Sequence, residues 1–159
     1  LLVGRIPIKD SKKELVMVNL HMEAYDNGSG KTAQTNELFK LLEKEKAKGN
    51  YVIAGGDFNQ TFSSANILKY KGRKGTWKPG IINIEKYKKN WQFVMDTVNP
   101  SCRSLDRPLK KADRESFQYY IIDGFILSKN IKVKRYENIN LQFKNADHNP
   151  VLLKVELKR

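Results

Sequence analysis

Two short apolar runs, separated by a helix-length stretch, constrain this chain more than any other feature in it. Leu15 to Leu20 (LVMVNL) ends at His21, and Tyr51 to Ala54 (YVIA) stops on Gly55, Gly56, Asp57 and, two residues on, Asn59. Between them the loop AYDNGSGK leads into a helical pattern from about Thr32 to Lys48, with Leu38, Leu41 and Leu42 on one face and Gly49-Asn50 as its stop. Strand, helix, strand in that order predicts a crossover between neighbouring parallel strands. The second run is aromatic and β-branched, as in a strand covered on both faces. Asp and Asn are poor strand formers, so Asp57 and Asn59 are expected just past the strand's carboxyl end, where two glycines let the backbone turn or lie close to something else. That end of an α/β strand is where such folds place ligands and catalysis.

The remaining elements are less regular. Residues 60 to 109 are rich in Lys, Asn, Gly and Pro and read as long loops with short helices or strands, apart from WQFVMDTV. Strand signals return in FQYYIIDGFIL (Phe117 to Leu127, interrupted by Asp123), Lys132 to Tyr136 and Val151 to Leu157. A chain of 159 residues is enough for one domain with a real core, and no boundary divides residues 1 to 159. With 40% hydrophobic and 30% charged residues, a water-soluble globular domain is favoured over disorder or membrane, and no apolar run approaches a membrane span. Neither a signal peptide nor cysteine usage assigns a location. The richness in Lys, Asn and Ile matches a bacterial coding bias and carries no weight for function.

Thirty Lys and Arg against seventeen Asp and Glu give a formal charge of +13, a field that attracts phosphate-bearing partners. A solvated lysine-rich surface explains the same number. The short basic clusters are Lys12-Lys13, Lys69 to Lys74, Lys86 to Lys89 and Arg107 to Lys111. Lone Cys102 forms no intrachain disulfide, has no Cys or His beside it to make a zinc site, and reads as structural.

Four polar groups interrupt or end strands: His21, Asp57 with Asn59, Asp123, and Asp147-His148 before PVLLKVEL. Each alone has an ordinary explanation: a satisfied core histidine, a helix cap, a turn residue, a bulge residue, a turn former. Together they are a set, because the chain has only two histidines and both fall at strand ends beside carboxylate or amide groups able to orient them. The motifs NLH at 19 to 21, GDFN at 56 to 59, IDGFILS at 122 to 128 and ADHNPV at 146 to 151, in that order, resemble the later motifs of the endonuclease/exonuclease/phosphatase superfamily. The resemblance spans residues 15 to 157.

It implies an α/β fold, a four-layer α/β sandwich of the deoxyribonuclease-I-like type, with a magnesium- or manganese-dependent phosphoesterase site at one edge of the paired sheets. On that likeness His148 acts at the attacking water and scissile phosphate, with Asp123 accepting its ring N–H. Asp57 sits by the nucleophile or leaving oxygen, Asn59 donates its amide to a phosphate oxygen, and His21 offsets developing negative charge. Asp147 belongs to the metal side, since hard cations prefer carboxylate oxygen.

Members of the superfamily also carry an Asn and a metal-binding Glu in earlier motifs, and neither motif occurs in residues 1 to 14. With LLVGRIPI as an opening and no initiator Met, the expectation is a single partial domain, the carboxyl-terminal portion of a phosphoesterase that is inactive alone. Self-association through the sheet face left uncovered follows from the same expectation. The alternative is a catalytically dead basic module that binds nucleic acid or phospholipid. For substrate, nucleic acid is placed ahead of phospholipid and inositol phosphate. KYKGRKGTWKPG, with Trp77, fits either a nucleic-acid track or a loop whose Trp packs on the body. Arg103 and Arg107 fit either phosphate contacts or ion pairs with Asp106 or Asp113. The residues ahead of Asp123 are Gln118, Tyr119 and Tyr120, where abasic-site nucleases usually show Trp and Arg, which disfavours a dedicated abasic-site enzyme.

Overall fold

Alternation in the first apolar run sets the fold's central division. Along strand β2 (Glu14–His21) Val16, Val18 and Leu20 are buried while Met17 is 42% exposed, so one face of the strand is committed to a core. The computed structural model describes residues 1–26, 28–66, 72–110 and 116–158. Its main sheet has five strands in the order β1-β2-β3-β9-β6, with β1 Leu2–Pro7, β3 Tyr51–Asp57, β9 Asp123–Ser128 and β6 Trp91–Met95. Strand β2 pairs with β3 in parallel across helix α1 (Ser29–Ala47), as the strand, helix, strand pattern predicts. The other pairs in this sheet are antiparallel, giving a mixed sheet.

Each face of the sheet has its own cover. Leu38, Phe39 and Leu42 of α1 pack on Val16, Val18, Val52, Ala54 and Ile126, and Trp91 closes this core while its indole N–H donates to Glu43 at 2.6 Å. On the opposite face, the antiparallel hairpin of β10 (Ile131–Asn138) and β11 (Val151–Leu157) brings Val133, Leu153, Val155 and Leu157 against Leu15, Ile53 and Leu127. The described residues therefore form helix, sheet and hairpin layers, a mixed α/β arrangement with one α-helix among them. The expected four-layer sandwich goes beyond these layers.

Two differences from the sequence expectations have local causes. Strand β3 runs through Asp57 because its ladder to β9 continues to an Asp57–Asp123 pair. The 117–127 run breaks into β8 (Tyr119–Tyr120) and β9, because β8 leaves the main sheet to pair with β7 (Cys102–Arg103). The 60–109 region holds short strands among its loops, as expected: β4 (Gln60–Phe62) and β5 (Gly80–Ile82), which pair with each other, as well as β6 and β7. Lys69 to Lys71, Lys111 and Asp113 lie outside the described residues.

Candidate active site

Strand register puts three of the expected residues in one row. His21 on β2 is the cross-strand partner of Asp57 on β3, and Asp57 is the partner of Asp123 on β9. Side chains alternate along strands, and these three share the face that carries Leu15, Ile53 and Leu127. They occupy the end of the sheet just past its apolar layer. The paired glycines permit this approach: Gly56 has φ 138°, and a Cβ there would lie 2.1 Å from the Leu20 carbonyl oxygen on the adjacent strand. A Cβ on Gly55 would run into the Phe125 ring.

The fourth member comes from a loop. His148 precedes β11 and forms an isolated antiparallel bridge with Cys102, while Arg103 N–H donates to the Asp147 carbonyl and Asn149 N–H to the Ser101 carbonyl. This seating brings His148 Nδ1 to 2.8 Å from Asp123 Oδ2, and its Nε2 to 3.7 Å from Asp57 Oδ2 and 4.0 Å from Asp147 Oδ2. An ionised carboxylate only accepts, so Nδ1 carries the hydrogen and Nε2 faces the cleft. His21 approaches from the exposed side, its Nε2 3.6 Å from the same Asp57 oxygen and its side chain 77% exposed.

Asn59 takes a different place from the expected one. It is buried with φ 47°, its backbone N–H donates to Asp57 Oδ1 at 2.7 Å, and its side-chain amide donates to the Met22 carbonyl at 2.7 Å. That amide holds the chain past β2 against the end of β3, so Asn59 orients Asp57 from behind. Ser101, which the sequence reading passed over, does similar work for Asp123: its buried hydroxyl oxygen accepts from the backbone N–H groups of Ile122 and Asp123, both at 3.1 Å. No local pattern around NPSCRS marks this role, since it depends on residues more than twenty positions away.

Electrostatics separate the two groups that face each other. Burial pushes the Asp57 carboxyl above its usual range; the Asn59 N–H bond opposes this, the Asp123 charge adds to it, and both histidines oppose it. Burial is the largest single effect on His148 and lowers it, but the hydrogen bonds and charges of Asp123 and Cys102 together hold the ring above its ordinary value. Burial also pushes the Cys102 thiol up, with the His148 hydrogen bond opposing it. The resting site thus contains an imidazolium held by one carboxylate and facing another whose proton affinity is raised.

No protein-family model matches the chain, and no curated protein does. Solved structures do. A functionally unknown conserved protein from Enterococcus faecalis V583 superimposes with a TM-score of 0.54 at 12% identity, covering 94% of this chain and 53% of that one. An endonuclease/exonuclease/phosphatase family protein from Bacteroides thetaiotaomicron superimposes with a TM-score of 0.51 at 20% identity, covering 95% of this chain and 53% of that one. The chain shares the fold of that family protein. It spans about half the length of each of these two structures. At such identities the likeness speaks for the endonuclease/exonuclease/phosphatase-type fold alone.

The donors around His148 supply only part of a magnesium site. Magnesium takes an octahedron of oxygens, commonly one or two carboxylates with waters and substrate phosphate. Here Asp123 is engaged by His148 and Asp57 by Asn59, leaving Asp147 as the one expected metal carboxylate, and its neighbours are an imidazole and the Cys102 thiol. The expectation that Cys102 has no histidine beside it is corrected by the bridge to His148, a contact made across 46 positions of sequence. Trp77 packs on the body: its ring meets Tyr120 edge-on at 4.9 Å, and its N–H donates to the Ala24 carbonyl. Arg107 pairs with Asp106 at 2.7 Å, while buried Arg103 donates to the Ser104 carbonyl and lies over the Phe117 ring.

Proposed function

We propose that this chain carries the acid–base half of a divalent-metal-dependent phosphoesterase site of the endonuclease/exonuclease/phosphatase kind, hydrolysing phosphodiesters. The observation that carries the reading is the His148–Asp123 contact of 2.8 Å with the free face of the imidazole turned to Asp57. In hydrolysis, water oxygen bonds to phosphorus, the ester P–O bond breaks, and one proton must leave the water while another reaches the departing oxygen. Asp57, with raised proton affinity, takes the first, and the His148 imidazolium supplies the second or neutralises the phosphoryl oxygens as charge grows on them. Asp123 holds the ring's tautomer and charge. His21 adds positive charge at the solvent side, and Asn59 fixes Asp57.

Magnesium or manganese is our choice of ion for the complete enzyme, with Asp147 the carboxylate this chain contributes. We place the chain in a four-layer sandwich, its β10–β11 hairpin belonging to the second sheet. We keep nucleic acid ahead of phospholipid or inositol phosphate as substrate, while the formal charge of +13 suits any of these anionic esters. The test is hydrolysis of bis-(p-nitrophenyl) phosphate and plasmid DNA with magnesium or manganese, by residues 1–159 and by the natural full-length polypeptide that carries them. Metal-dependent turnover in the full-length protein, abolished by Asp57→Ala, supports the reading, and turnover by residues 1–159 alone would refute their inactivity. The thin oxygen donor set favours one alternative, a basic module that binds nucleic acid or phospholipid without cutting it. Salt-sensitive DNA affinity with no turnover in the full-length protein would establish that instead.

A further inference from the structure

The donor set that suits magnesium poorly suits another kind of ion well. Cys102 Sγ, a carboxylate oxygen of Asp147 and a ring nitrogen of His148 all lie within 4.8 Å of one another. Three protein ligands drawn from thiolate, imidazole and carboxylate, with a fourth position open, are the pattern of accessible zinc sites. A carboxylate also orients the imidazole: His148 Nδ1 donates to Asp123 at 2.8 Å, which leaves Nε2 as the ligating atom, 4.0 Å from Asp147 Oδ2. Tetrahedral zinc with bonds of about 2.0–2.3 Å brings one sulfur, one nitrogen and one oxygen ligand to roughly 3.3–3.6 Å apart, so the three groups need to close by up to about 1.5 Å. Two short segments locked by backbone bonds hold the ligands: Cys102 bridges His148, and Arg103 N–H donates to the Asp147 carbonyl at 2.9 Å. The Asp147 and His148 side chains are about a third exposed and give an ion a way in, while Cys102 lies beneath them.

We propose that Cys102, Asp147 and His148 form a site for a borderline-soft divalent ion, zinc or a chemical equivalent, distinct in ligand chemistry from a magnesium site. Binding converts the Cys102 thiol to a thiolate and displaces the Nε2 proton of the His148 imidazolium, both protons passing to solvent, and the ion takes the freed Nε2 lone pair. Asp57 lies close by, its Oδ2 3.7 Å from Nε2. The ion's presence there blocks His148 from proton transfer, so zinc inhibits; this consequence, unlike the site itself, rests on the phosphoesterase reading.

The test is titration of the protein with cobalt(II) as a spectroscopic stand-in, followed by zinc competition. A thiolate-to-cobalt charge-transfer band, one ion per chain and displacement by zinc but not by excess magnesium are expected. Cys102→Ser should abolish the band and weaken zinc at least tenfold, whereas His21→Ala, which removes the other nearby histidine, should leave both unchanged. Should Cys102→Ser fail to fold, X-ray absorption on the zinc-loaded wild type decides, with one sulfur scatterer at about 2.3 Å expected. Cobalt binding with no charge-transfer band, or a zinc shell of nitrogen and oxygen only, overturns the site. In the full-length protein, zinc inhibition relieved by Cys102→Ser supports the consequence; thiolate-ligated zinc without inhibition of an active enzyme overturns the consequence and leaves the site standing.

Discussion

At the scale of single residues, the candidate site depends on groups that never face the cleft. Ser101 is fully buried and accepts from two successive backbone N–H groups at the start of β9, including that of Asp123 itself. Ser101→Ala removes that acceptor without filling the space. A buried donor deprived of its partner costs about 1–3 kcal/mol, so the denaturation midpoint should fall accordingly. Asp123 should also lose its fixed position, which histidine NMR would register as a weakened Nδ1–H hydrogen bond at His148. A variant with the wild-type midpoint and an unchanged His148 signal would show that Ser101 positions nothing.

At the scale of elements, Glu45 ties α1 to the sheet edge. Only 2% exposed, its carboxylate accepts from Arg5 of β1 at 2.8 and 3.0 Å, from Lys48 at 2.9 Å and from Asn50 at 3.0 Å. The Arg5 hydrogen bonds lead in lowering the carboxyl from 4.5 to about 2 against the opposing effect of burial. A depressed carboxyl stabilises the fold fully above its unfolded value and loses that contribution as pH falls from about 4.5 towards 2. Arg5 is 38% exposed, so solvent screens part of the attraction, and Glu45→Gln should cost about 1 kcal/mol at pH 7. Urea melts from pH 7 to 2 should show a shallower acid loss in Glu45→Gln, and identical slopes would contradict this account. The same elements show what the sequence exposes. The β2, α1, β3 order was legible because hydrophobic period and glycine stops are local signals. The seating of His148 against Cys102 and the hidden work of Ser101 were not, since both arise between irregular segments where no period operates.

At the scale of the whole molecule, two features of the sheet stand in tension. Strand β1 is an edge strand, and Leu2, Ile6 and Met17 of β1 and β2 are 71%, 46% and 42% exposed on the face not covered by α1. The β10–β11 hairpin covers the same face further along, over Leu15, Ile53 and Leu127. An uncovered apolar strip beside an open edge invites pairing with a second copy. Sedimentation of residues 1–159 should show mass rising with concentration, and Leu2→Lys with Ile6→Lys should suppress it. A single monomeric species at all concentrations would rule out this self-association. No described helix is long and apolar enough to cross a membrane.

The central claim is that side chains from three strands and one loop act as a single phosphoester site. Its most direct test is a double-mutant comparison in the natural full-length polypeptide, measuring bis-(p-nitrophenyl) phosphate hydrolysis for wild type, Asp57→Ala, His148→Ala and the pair. Groups that share one proton-transfer step should each cost roughly 10²–10⁴ in rate, with the double variant little worse than the poorer single one. A His148→Ala protein that turns over at the wild-type rate, or losses that simply multiply, would contradict it.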